Sequence, residues 1–155
     1  MAQSVPQPKH TVVPYLRVKG AVKAIEFYTK ALGAKEHLRM PGPDGRVMHV
    51  ELEIGGGIVY LSDEFPEMGG GTGAPNGSVT VHLNVPDCDA LWAKAIAAGA
   101  TPMMPLQDMF WGDRFGKFKD PFGHEWSIST TKEQLTPEEM NRRGAEVMKQ
   151  MGKKP

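Results

Sequence analysis

Apolar and polar side chains alternate along residues 47–54, with Met48, Val50, Leu52 and Ile54 on one face and His49, Glu51 and Glu53 on the other. A period of two marks a strand with one buried face. Residues 12–18 read the same way, setting Val12, Leu16 and Val18 against Val13, Tyr15 and Arg17. Between them the period lengthens. Ala21, Ile25, Tyr28 and Leu32 recur at helical spacing, and Gly33 stands where a C-terminal cap belongs. A further strand is expected over residues 36–40, a turn over 41–46 with Asp44-Gly45 at its tip, and a short strand over 58–62 after a glycine turn.

Residues 63–77 carry no periodicity, and GGGTGAPNG within them has linker composition. The same order of elements then begins again. Val79, Val81, Leu83 and Val85 alternate with Thr80, His82 and Asn84. Asp87 is suited to cap a helix running to Ala98, with Leu91, Trp92, Ala95 and Ile96 as its buried stripe and Gly99 at its end. Strands come next over 101–105, 111–119 and 124–130, the last two joined by Asp120-Pro121-Phe122-Gly123. Leu16-Arg17-Val18 matches Leu83-Asn84-Val85 at an offset of 67 residues, and Gly33-Ala34 matches Gly99-Ala100 at 66. The expected fold is α+β: two βαβββ modules, each covering one face of its sheet with one helix.

Residues 1–10 then form a mobile leader. Residues 11–131 form one domain, with module one over 11–63, a linker over 64–77 and module two over 78–131. Residues 132–155 supply a C-terminal helix and tail. Thr136-Pro137-Glu138-Glu139 is a helix start, and Met140, Gly144, Val147, Met148 and Met151 share one stripe of that helix. The stripe packs on the body or on a partner subunit.

Composition narrows the functions. Lys+Arg and Asp+Glu are both 18, giving zero formal charge, which argues against nucleic acid as the partner. Arg142, Arg143, Lys149, Lys153 and Lys154 gather near the C-terminus, diluted by Glu138, Glu139 and Glu146. Cys88 is the only cysteine, so neither an internal disulfide nor a cysteine zinc site can form. No apolar run reaches the roughly 20 residues of a membrane helix, and the first residues lack a signal-peptide core. A cytoplasmic protein without membrane contact is expected.

Several segments together resemble one family: Pro14-Tyr15-Leu16-Arg17-Val18, Ala24-Ile25-Glu26-Phe27-Tyr28 with Leu32-Gly33-Ala34, and Leu61-Ser62-Asp63-Glu64. Trp111-Gly112-Asp113-Arg114-Phe115-Gly116 followed by Asp120-Pro121-Phe122-Gly123-His124 carries most of the likeness. The chain resembles the PhnB-like branch of the glyoxalase/bleomycin resistance protein/dioxygenase (vicinal oxygen chelate) superfamily, over residues 11–148. The resemblance implies that the two βαβββ modules form an open, curved, mixed sheet around a cleft, and it implies a homodimer. It also implies that metal-dependent members hold a divalent ion with His, Gln or Glu from the first and fourth strands of each module. Those positions fall here on Val13, Tyr60, Thr80 and Ser127, none of which is such a residue. His82 and Glu125 lie two residues from Thr80 and Ser127 on the same face.

The cleft-facing residues implied are Val13, Tyr15, Arg17, His49, Glu51, Glu53, Tyr60, Thr80, His82, Asn84, Glu125, Ser127 and Ser129, although such a face can equally be a solvated sheet surface. His49 with Glu51 is either a displaced metal or acid–base pair or a hydrated edge. His82 is a base, a ligand or a hydrogen-bonded wall residue. His124 faces away, and His10 in the leader has no role. Phe110, Trp111 and Phe115 with Asp113 and Arg114 either close over a planar ligand or pack into the sheet, leaving Asp113–Arg114 a surface pair.

Three functions remain in view, with catalytic residues unassigned. The first is a metal-independent protein that binds and sequesters a small molecule, without a cofactor. The second is a lyase, isomerase or dioxygenase whose divalent metal sits in a rearranged site around His49, Glu51, His82 or Glu125. The third is an interaction protein with a vestigial cleft, acting through its C-terminal helix.

Overall fold

A computed structural model describes residues 10–69 and 78–152. The leader over 1–9, nearly all of GGGTGAPNG, and Lys153 and Lys154 lie outside the described residues. The chain divides into two compact units. The first holds β1 (Tyr15–Val18), α1 (Ala21–Leu32) apart from its last three residues, β2 (Lys35–Pro41), β3 (Val47–Ile54) and β4 (Gly57–Asp63). The second holds β5 (Thr80–Asn84), α2 (Cys88–Ala97), β6 (Thr101–Asp108), β7 (Asp113–Lys119) and β8 (Glu125–Thr131), followed by α3 (Pro137–Met151). Each unit is a βαβββ module with a four-stranded mixed sheet, ordered β1-β4-β3-β2 and β5-β8-β7-β6. In each, the first strand pairs with the fourth in parallel and the remaining pairs are antiparallel.

Hydrophobic burial explains the first unit. Leu16, Val18, Val50, Leu52, Ile54, Val59 and Leu61 are buried on one sheet face, as are Ala21, Ala24, Ile25 and Tyr28 of α1. Residues spaced three and four apart make that helical stripe, and its burial stabilises α1 more than propensity does. Gly33 closes the helix in the left-handed conformation (φ 66°), its N–H bonded to the Tyr28 carbonyl. The start of α1 is capped from a distance. Gly20 has no side chain to offer, and the buried Asp63 at the end of β4 accepts hydrogen bonds from the Gly20 and Ala21 N–H groups and from Val47.

In the second unit Trp126, Ile128 and Phe118 are fully buried, and Trp92 of α2 meets Phe118 edge-on. The Asp87 side chain caps α2 through Ala90 N–H. Thr130 reinforces this start, accepting from Cys88 N–H and donating to the Val85 carbonyl. The turn before β8 is built on Asp120, which accepts from Phe122, His124 and the Trp126 indole.

Several expectations need correction. Strand β1 begins at Tyr15 because Pro14 has no N–H to donate, and Val12, expected in the core, is 87% exposed. Val79 falls outside β5 and is likewise exposed. Leu91, Trp92 and Ile96 are half-buried; Cys88 and Ala95 are the buried residues of α2. Strand β6 runs past Pro105 to Asp108, which an outer strand with register shifts tolerates. Strand β2, an outer strand of the first sheet, ends in Pro41. On α3, Met140, Met148 and Met151 are exposed, while Arg143, Gly144 and Val147 are half-buried. Among the described residues no helix is long and apolar enough to cross a membrane.

Candidate functional site

Each sheet has a second face, opposite its core, and most of the expected site residues stand there. In the first unit the register places Tyr15 beside Tyr60 and Tyr60 beside Glu51. Tyr15, His49 and Tyr60 form a three-ring cluster, with His49 4.8 Å from Tyr60 and 5.4 Å from Tyr15 between centroids. The Tyr15 hydroxyl lies 2.7 Å from His49 Nδ1, and His49 Nε2 lies 3.6 Å from Glu51 Oε1. Arg17 is half-buried one step along β1, in register with Ser62.

Beside this cluster is a cavity of about 490 Å³. It is lined by His10 and Val13 before β1, His37 of β2, Glu51 and Glu53 of β3, and Gly56, Ile58 and Tyr60 at β4. His10, given no role from the sequence, therefore has a place in it. His37 escaped notice because β2 is exposed along its whole length and shows no alternation. A second cavity, about 590 Å³, lies at the start of α1 among Lys19, Lys23, Arg46, Asp44, Glu64 and Glu67. Its charges are of both signs, and Arg46 is held by Glu67 at 2.6 Å while lying over the Phe65 ring.

The equivalent face of the second unit centres on His82. Its Nδ1 lies 2.6 Å from Ser127 Oγ, and its Nε2 lies 3.1 Å from Asn84 Oδ1 and 3.0 Å from Ser129 Oγ. The amide oxygen fixes the proton on Nε2, so the Ser127 hydroxyl donates to Nδ1. Ser127 and Ser129 are buried, which makes His82 a firmly oriented ring. Phe115 stacks on it at 6.0 Å and 17°, Trp111 meets Phe115 edge-on at 5.6 Å, and Phe110 meets Trp111 at 5.1 Å. Trp111 is itself fixed by its indole N–H, which donates to Asp113. Next to His82, Glu125 accepts from Thr80 and lies 3.6 Å from Lys117 Nζ.

Arg114 does not join this group. It alternates with Phe115 on β7, so it shares the helix side with Gly116, and its guanidinium binds Asp89 of α2 at 3.0 Å and Asp108 at 3.3 Å. The expected Asp113–Arg114 surface pair is replaced by these contacts and by the Trp111–Asp113 bond. Both acidic partners raise the Arg114 pKa, Asp89 first, which secures its charge.

The donors do not fit a metal of the superfamily kind. Val13, Tyr60, Thr80 and Ser127 offer an alkyl group, a phenol and two alcohols where imidazole and carboxylate would be needed. Among the described residues no three His, Cys, Asp or Glu side chains stand together as a metal site.

A family model for the Glyoxalase/Bleomycin resistance protein/Dioxygenase superfamily matches residues 7–128. The uncharacterized protein Mb0911c of Mycobacterium bovis is 44% identical over 132 residues, covering 82% of this chain and 87% of its own. Among solved structures, TioX from Micromonospora sp. ML1 superposes with a TM-score of 0.62 at 28% identity, over 77% of this chain and 96% of that one. TnmS3, an antibiotic binding protein from Streptomyces sp. CB03234, superposes with a TM-score of 0.56 at 25% identity, over 81% and 99%. With paired βαβββ modules and a family match over most of its length, the chain belongs to the Glyoxalase/Bleomycin resistance protein/Dioxygenase superfamily.

Proposed function

We propose that this protein binds and sequesters a planar, aromatic small molecule without using a metal. The observation that carries the reading is the aromatic wall of the second unit, in which Trp111, Phe115 and His82 are each held in place by neighbours. Rings fixed before binding present a stacking surface at little entropic cost. The fit of an antibiotic binding protein to the same fold supports a ligand of natural-product size. The rearranged metal site has less support, because His49 and Glu51 are two donors and Glu125 is already engaged by Lys117 and Thr80.

The test is a tryptophan-fluorescence titration of the metal-stripped protein against planar aromatic natural products. Saturable quenching in wild type, lost in Trp111→Leu, is expected. Binding that requires added Zn, Ni, Mn or Fe(II) would sink the metal-free reading and revive the metal-dependent lyase, isomerase or dioxygenase. We also place the chain in the PhnB-like branch, on residues 111–116 and 120–124, and propose a cytoplasmic homodimer, which sedimentation equilibrium checks for assembly.

A further inference from the structure

We infer that the cavity of the first unit takes an organic cation, an amine or amidine on an apolar or aromatic frame; this is a site of its own, beyond the aromatic wall on which the small-molecule reading rests. The protein as a whole carries no net charge, yet this cavity is lined by Glu51 and Glu53 and by no lysine or arginine among the described residues. Elsewhere acidic side chains are matched with guanidinium groups: Glu36 with Arg39, Glu67 with Arg46, Asp89 with Arg114, Glu139 with Arg142. Glu51 and Glu53 instead face imidazoles, His49 and His37, each at 3.6 Å. Among the described residues neither carboxylate has a lysine or arginine within ion-pair distance, so both are open to a ligand cation.

The rest of the lining suits the same ligand. Cross-strand register sets Glu51 beside Tyr60 and Glu53 beside Ile58, so each carboxylate has an aromatic or apolar neighbour. A cation above the Tyr60 ring gains from its π face as well as from the carboxylates. Val13 and Ile58 supply apolar wall, and about 490 Å³ holds a drug-sized molecule. Both carboxylates are about two-thirds shielded, with side-chain exposures of 32% and 35%, so their field is less screened than at an open surface.

Three probes share one ring system and differ in charge: naphthylmethylammonium, naphthoate and naphthylmethanol. Calorimetric titration at low salt is expected to rank the ammonium about tenfold tighter than the alcohol and the naphthoate weakest, with the preference fading at high salt. The Glu51→Gln/Glu53→Gln double variant should bind ammonium and alcohol alike, while Glu26→Gln, on the exposed side of α1, keeps the preference. Retained melting temperature shows that the double variant is folded; if it is not, each single Gln substitution replaces it. Equal binding of all three probes overturns the cation while leaving a small-molecule binder. Failure of the ammonium to bind, or a preference that survives the double substitution, also overturns it. The planar-ligand reading falls separately, by the Trp111 titration.

Discussion

Asp63 and Thr130, 67 residues apart, do the same work in the two modules: each reaches from the end of the fourth strand to cap the helix that follows the first. The offset is the one that relates Leu16 to Leu83, so the repeat extends to the device that fixes each helix to its sheet. The chemistry differs. Asp63 accepts three backbone N–H groups, whereas Thr130 accepts one and passes its own proton to the Val85 carbonyl.

Asp63→Asn should therefore cost about 3 kcal/mol, since an amide turns a donor toward N–H groups that need an acceptor in a buried place. Thr130→Val should cost about 1 kcal/mol, the usual worth of a lost cap. Urea melts of both variants check the order. Equal losses would mean that the carboxylate adds nothing over a hydroxyl.

Gly116→Ala should destabilise the second unit by about 2 kcal/mol through overpacking. A Cβ there would stand 2.9 Å from Trp92 Cζ3, 3.0 Å from Leu106 Cδ2 and 3.2 Å from the Met104 carbonyl. The indole and leucine can shift, but the backbone oxygen cannot without disturbing β6. A thermal melt lowered by several degrees is expected; an unchanged one would show that Trp92 rotates aside.

Phe115→Ala removes the middle ring between His82 and Trp111. Stacking partners are worth about 1 kcal/mol each, so ligand affinity should fall by about fivefold with the fold intact. Affinity unchanged in this variant, measured by calorimetry, would move the ligand away from the aromatic wall.

The C-terminal helix should respond to acid through Glu139. Hydrogen bonds from Arg142 and then Arg143 lower its pKa from 4.5 to about 2. A carboxyl whose folded pKa is depressed favours the folded helix above the unfolded value and loses that contribution as pH falls through the folded one. The stability difference between wild type and Glu139→Gln should be full above pH 4.5 and vanish toward pH 2. Circular dichroism melts across that range test it, and a difference that stays constant would assign the effect to shape and not charge.

Much of the fold was legible where patterns are local. Helix α1 and strand β3 have the bounds their periodicity indicated, because every third or second residue reports a buried face. The distant cap was not legible as such: Asp63 reads only as a strand-end residue, and its partners Gly20 and Ala21 lie more than 40 positions earlier. Arg114 was grouped with Trp111 and Phe115 because it neighbours them in sequence, whereas alternation along β7 sets it on the face opposite Phe115. His37 and His10 joined Glu53 at the cavity only once the chain had folded, since neither belongs to an alternating segment.

One outer strand of each sheet, β2 in the first and β6 in the second, is blunted. Proline ends β2 and twice interrupts β6, and each strand slips register against its neighbour. A strand edge with missing donors and an uneven spacing is a poor template for a further strand from another molecule. Capture of a small molecule is stoichiometric, so a sequestering protein must accumulate to the level of the compound it removes. The proposed sequestering role would gain from this, since the β2 and β6 edges are closed to strand addition at such a concentration.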